Sequence, residues 1–158
     1  MKVIIVSKVF PKKHPSAGYP TYFVQKILNS LLPKKYKPIT EIGNPPKHHT
    51  IRAGHRWKVG EMASIRVWTG LPYRSKQNEI VQVEIKKVWN FTIEPHKVHG
   101  FAIHINGHYV ADWRPKTANI DLTDVAKNDG LSKQDFIDWF PKTFIGQIIC
   151  WNEKIEYS

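Results

Sequence analysis

A long alternation constrains this chain most: Val81, Val83, Ile85, Trp89, Phe91 and Ile93 occupy odd positions, while Gln82, Glu84 and Lys86 take even ones. Successive side chains of a β-strand point to opposite faces, so a period of two describes a strand with one face covered and the other wet. The run outlasts an ordinary strand of about five or six residues. It therefore predicts a bent or bulged strand of the kind barrels use. A shorter companion places Ile65 and Val67 against Arg66 and Trp68. Further on, Phe101 to Ile105 and Tyr109 to Ala111 flank Asn106-Gly107. That pair suits the two left-handed positions of a type I′ turn and predicts a β-hairpin.

The remaining elements are short. Val3 to Val6 read as a buried first strand, followed by a loop from Pro11 to Pro20 rich in Pro, Gly and Lys. Phe23, Val24, Ile27, Leu28, Leu31 and Leu32 then recur with helical spacing, with Thr21 available as a cap and Pro33 as a stop. Residues 33–46 hold four prolines and read as an exposed loop. Two helical segments follow, one from Leu122 to Asn128 ending at Gly130, the other from an N-cap at Ser132 to Trp139. A strand from Ile145 to Trp151 closes the chain. Many strands, few short helices and no βαβ rhythm predict an α+β fold over residues 1–158. We expect one domain, a small mostly antiparallel β-barrel flanked by short helices.

Composition narrows the class. At 158 residues with 41% hydrophobic content the chain can bury one core. Cys150 is its only cysteine, which excludes a disulfide framework and a cysteine zinc site. No secretory signal is legible, and the apolar start is far shorter than the roughly 20 residues a membrane helix needs. A cytoplasmic protein without membrane contact is the expectation. His96, His99, His104 and His108 lack a known ligand spacing and read as exposed hairpin residues, so no metal is expected. No glycine-rich phosphate loop, nucleophile elbow or paired-histidine protease motif occurs, and no cofactor is implied.

The formal charge is +11, and its distribution is uneven. Residues 1–58 carry twelve Lys and Arg against Glu41 alone, whereas residues 59–158 carry twelve of each sign. An excess confined to the first third points to an anionic partner such as nucleic acid. Within it lies Lys47-His48-His49-Thr50-Ile51-Arg52, preceded by Pro45-Pro46, which forbids an entering helix. In an extended segment Thr50 and Arg52 share one side and Ile51 faces the core. Lys47 can fold over Thr50, which gathers a hydroxyl, an amine and a guanidinium. These could form a nucleophile, a proton acceptor and an anion clamp, or a basic strand edge that touches phosphate. His48 and His49 are either surface residues or an alternative base. Trp57, Trp68 and Tyr73, interleaved with Lys58, Arg66, Arg74 and Lys76, suit base stacking with phosphate contacts, or else belong to the core and its rim. Trp68, Tyr73, Arg74 and Lys76 are the substrate-binding candidates outside the motif.

The run Lys47-x-x-Thr50-x-Arg52 resembles the core motif of the ASCH domain family, a branch of the PUA-like superfamily of small barrels. Supporting segments follow in order: Tyr22 to Leu28, Trp57-Lys58-Val59-Gly60, Trp68-Thr69-Gly70 with Pro72 to Gln77, Asp129-Gly130-Leu131-Ser132, and Gly146 to Ile149. The resemblance implies a cleft between barrel and helices and an association with RNA. By resemblance to a bacterial branch that removes the acetyl group from N4-acetylcytidine, Thr50 is the nucleophile, Lys47 its activating base and Arg52 a substrate clamp. Asp129 matches that branch's carboxylate and is one methylene shorter, and Pro45 stands where the family has glycine. The expected function is binding of single-stranded RNA or a modified pyrimidine nucleoside. N4-acylcytidine amidohydrolysis and RNA cleavage are the alternatives.

Overall fold

The long alternation is one extended run of chain that belongs to two sheets. In the computed structural model, which describes residues 1–33, 45–96, 100–111 and 120–157, it divides into β4 (Gln77–Glu84) and β5 (Lys87–His96). At the junction Ile85 exchanges backbone hydrogen bonds with Gly60 and Glu61, and the Lys86 amide donates to Cys150 2.8 Å away. The chain changes partners there without losing parity, so Val83, Ile85, Trp89, Phe91 and Ile93 are all buried. A single strand was expected, and the switch between Ile85 and Lys86 replaces it.

The first sheet has the order β1, β3, β4, where β1 is Lys2–Ile5 and β3 is Met62–Trp68. β1 runs parallel to β3, and β3 pairs antiparallel with β4 through a bulge that leaves Ile80 without a partner across the ladder. The second sheet has the order β2, β8, β5, β6, β7, all antiparallel. Here β2 is His49–Ala53, β6 is Gly100–Ile105, β7 is His108–Ala111 and β8 is Phe144–Cys150. The turn between β6 and β7 has φ of 48° at Asn106 and 78° at Gly107, both left-handed, as the hairpin expectation requires.

Three short helices complete an α+β fold: α1 (Phe23–Leu31), α2 (Leu122–Asn128) and α3 (Lys133–Asp138). Ser132 caps α3 by accepting from the Asp135 amide at 3.1 Å. The N-cap of α1 is Tyr22 rather than Thr21, and Thr21 serves the helix from one position before it, with its hydroxyl accepting from the Phe23 amide and donating to the Ser7 carbonyl. The covered face of α1 is narrower than its apolar spacing implies. Phe23 and Ile27, one turn apart, are buried, while Leu28, Leu31 and Leu32 are exposed. Both sheets and all three helices contribute to one hydrophobic cluster.

Among the described residues the sheets form no closed barrel. β1 and β2 are the edges of their sheets, and no ladder joins them. The Arg52 side chain spans the gap instead, donating to the Ile5 carbonyl. No described helix is long and apolar enough to cross a membrane. Residues 34–44, which hold most of the expected proline-rich loop, lie outside the described set, as do His99 and the His96 side chain.

Candidate functional site

The gap between β1 and β2 contains a cavity of about 360 Å³. Its polar lining comes from Ser7, Lys47, Thr50, Arg52 and Asp129, and its apolar wall includes Phe23, Trp139 and Phe140. The motif and the distant carboxylate expected from sequence therefore share one space.

Backbone contacts fix the approach to this site. After Pro46 the Lys47 amide donates to the Lys26 carbonyl of α1 at 2.9 Å, and the His48 amide to the Asn128 carbonyl of α2 at 2.7 Å. β2 then begins, pairing Thr50 with Ile149 and Arg52 with Gln147. Asp129 is the C-cap of α2, and Gly130 follows with φ of 80°, the left-handed residue that ends a helix. A side chain on Gly130 would lie 3.2 Å from both Lys47 Cβ and Lys26 Cδ, so the end of α2 also approaches Lys47 closely.

Lys47 is almost fully buried, at 2% exposure. Its ammonium donates to Asp129 Oδ1 at 2.9 Å and to the Asp129 carbonyl at 2.6 Å, and it lies 4.2 Å from the Phe23 ring centroid. Burial lowers the Lys47 pKa, assisted by the nearby Arg52 and Lys26 charges, while Asp129 opposes the fall. Burial alone would raise the Asp129 pKa, but the Lys47 charge and the His49 hydrogen bond together hold it below the ordinary carboxylate range. The two partners shift the same way for different reasons, because the lysine is governed by desolvation and the aspartate by its neighbours. The geometry is that of a buried ion pair. Lys47 is thus not a free amine: to accept a proton from Thr50 it must first give one to Asp129.

Thr50 is 3% exposed, and its hydroxyl has no hydrogen-bond partner among the described residues. Arg52 donates to the carbonyls of Ile51 and Ile5 and makes no salt bridge to a described carboxylate. Burial lowers its pKa, and Asp129 acts against that shift. The cavity thus offers an unpaired hydroxyl, an anchored guanidinium and the edge of an ion pair.

His49 points elsewhere. Alternation along β2 turns it away from Thr50, and its ring is fully buried, with Nδ1 3.3 Å from Asp129 Oδ1 and Nε2 2.8 Å from the Tyr157 hydroxyl. It is neither a surface residue nor a base for Thr50. His48 is half-buried and lies 3.2 Å from Asn152 through Nδ1. Sequence reasoning also missed Phe23 and Tyr157 as neighbours of the site. Only the parity of β2 carried a signal for His49, and nothing in the sequence pointed to Tyr157.

Trp68, Tyr73, Arg74 and Lys76 do not line the cavity. Trp68, the last residue of β3, and Tyr73, on the loop after it and 89% exposed, form a ring pair 5.3 Å apart. Ser75 closes that loop by accepting from the Gly70 amide and donating to the Leu71 carbonyl. Because β1 and β3 are parallel, this loop leaves the sheet at the same end as Val6 and Ser7, which line the cavity. Trp57, by contrast, is a core residue whose backbone is held on both sides by the Gln147 amide. His104 packs edge-on against Tyr109, and no described group of three or more His, Cys, Asp or Glu side chains could hold a metal ion.

In comparisons with protein-family models, curated proteins and solved structures, nothing matches this chain.

Proposed function

We propose that the cavity between β1 and β2 binds a base of single-stranded RNA or a modified pyrimidine nucleoside. The observation that carries this reading is that the unpartnered Thr50 hydroxyl shares one partly open cavity with the Arg52 guanidinium and Asp129. A cavity of about 360 Å³ falls within the range of about 300 to 1,000 Å³ typical of small-molecule sites. Its donors and acceptors suit the mixed hydrogen-bonding edge of a base. Positive charge concentrated in residues 1–58 supplies attraction for the phosphate backbone. The resemblance of Lys47-x-x-Thr50-x-Arg52 to the ASCH motif supports the same reading. It carries with it the proposal that the two sheets are an opened version of a PUA-like barrel, with the cavity at the opening.

A second reading, amidohydrolysis of an N4-acylcytidine, is favoured by the Lys47 and Asp129 pair sharing the cavity with Thr50. Lys47 would pass a proton to Asp129 Oδ1 across 2.9 Å and then accept the Thr50 proton as Oγ attacks the acyl carbon. Asp129 would return its proton to the departing N4 as the amide bond breaks. Water would then hydrolyse the threonine ester, releasing the acid and restoring the hydroxyl.

Fluorescence anisotropy with a labelled single-stranded RNA tests the binding reading. Affinity should fall as salt rises, through counterion release, and Arg52→Met should weaken it while the fold is retained. Absent or salt-insensitive binding contradicts the proposal. Release of acid from N4-acetylcytidine, lost in Thr50→Ala and Lys47→Ala, would establish the second reading, and strand cleavage of the same RNA would mark a ribonuclease.

A further inference from the structure

Behind the ion pair, a chain of hydrogen bonds can be polarised in only one direction. Ionised Asp129 can only accept, so His49 Nδ1, 3.3 Å from Oδ1, must carry the proton between them. Burial, the largest influence on His49, depresses its pKa and keeps the ring neutral, which leaves Nε2 bare. The Tyr157 hydroxyl, 2.8 Å away, is the donor to Nε2, and burial raises its pKa so that it stays protonated. Having given its one proton, the Tyr157 oxygen can only accept, here from Asn128 Nδ2 at 2.9 Å. Every member has a single role left to it.

We infer that this chain makes His49, Tyr157 and Asn128 positioning residues for Asp129, so that the segment 151–157 after β8 is a working part of the site. Two donors, Lys47 Nζ and His49 Nδ1, meet on Asp129 Oδ1, whereas Oδ2 has no partner among the described residues. The carboxylate is thereby held with one oxygen committed inward and one left for the cavity it lines. The charged or titratable groups acting on His49 are Asp129 and Lys47, and those acting on Tyr157 are Cys150, Asp129 and Asp124. The inference rests on the reading that Asp129 serves the cavity, but the chain itself is measured without ligand.

Tyr157 also packs on Trp89 with ring centroids 4.7 Å apart and edge-on to His49 at 5.7 Å, contacts that Tyr157→Phe preserves. Heteronuclear NMR of the ligand-free protein should show wild-type His49 protonated on Nδ1 and bare on Nε2 at neutral pH. Tyr157→Phe removes the donor that favours the neutral ring, so the His49 midpoint should shift upward. Asn128→Asp replaces a donor with an acceptor that competes for the Tyr157 proton, and it should shift His49 the same way. His49→Phe removes a donor from Asp129, whose carboxyl midpoint should then rise. Should His49→Phe fail to fold, Tyr157→Phe decides the matter alone. A wild-type His49 protonated on Nε2, or a folded Tyr157→Phe protein with unchanged His49 titration, overturns the inference. An unmoved Asp129 midpoint in folded His49→Phe does so equally. Loss of the RNA proposal with these shifts intact would remove the ligand and leave the chain standing.

Discussion

The Lys47 and Asp129 pair should reveal itself through opposite pH dependences when either partner is removed. At 2.9 Å, two unit charges attract by about 6 kcal/mol at an effective dielectric of about 20, against a desolvation cost of several kcal/mol per ion. The pair therefore adds little net stability, whereas loss of one member strands the other. Asp129→Asn and Lys47→Met should each cost about 3 to 5 kcal/mol, and the double variant much less than their sum. In the wild type the depressed Asp129 pKa contributes stability above the unfolded value of about 3.9, and this is lost as pH falls through the folded value. In Asp129→Asn, Lys47 loses the groups that held its pKa up, so burial drives it further below the unfolded value of about 10.4. The unfolded state then binds more protons, and stability rises with pH by up to about 1.4 kcal/mol per unit inside that window. In Lys47→Met the buried Asp129 loses its main counter-charge and its pKa moves up, so stability falls as pH rises from about 3.9 towards the new folded value. Urea titrations across pH supply the measurement. Single losses below about 1 kcal/mol, or pH slopes of the same sign in the two variants, would refute the reasoning.

Two further outcomes follow from the same geometry. Gly130→Ala places a side chain at φ of 80° and 3.2 Å from Lys47 Cβ, so it should cost about 1 to 2 kcal/mol and weaken any ligand that the cavity binds. Thermal unfolding alongside binding assays checks both, and an unchanged midpoint would show that the α2 terminus adapts. The Cys150 thiol is fully buried and its pKa is pushed up to about 11 by burial. It should resist thiol reagents in the native protein and react fully in denaturant, and rapid native labelling would contradict that.

Much of this fold was legible because its signals are local. Asn106-Gly107 fixes a turn by the φ values it tolerates, Ser132 fixes a helix start by its hydroxyl, and odd-position apolar residues mark the buried face from Val83 to Ile93. The change of sheet after Ile85 was not legible, because the apolar residues on either side keep the same parity, and the interruption at Lys87-Val88 reads equally well as a bulge in one strand. The open edge between β1 and β2 was equally hidden, since barrel closure depends on which distant strands meet. In the site, Lys47, Thr50, Arg52 and Asp129 line one cavity. The roll of outlying contacts did not converge. Trp68, Tyr73, Arg74 and Lys76 looked like a stacking surface by composition, yet their loop is closed by Ser75 and lies outside the cavity wall. His49 neighbours Thr50 along the chain, but strand parity turns it to the opposite face. Tyr157 reaches the site only through tertiary packing, which no spacing rule encodes.

The most direct test of the account is to follow the cavity itself as ligand is added. In a protein labelled at threonine and isoleucine methyls and at arginine Nε, titration with a short single-stranded RNA should shift Thr50, Ile5 and Arg52 saturably and together. Thr50 and Ile5 should stay unmoved in Arg52→Met at those concentrations. RNA binding that shifts only the Trp68 to Lys76 loop, or that leaves the Thr50 methyl untouched at saturation, would contradict the claim that a base enters between β1 and β2.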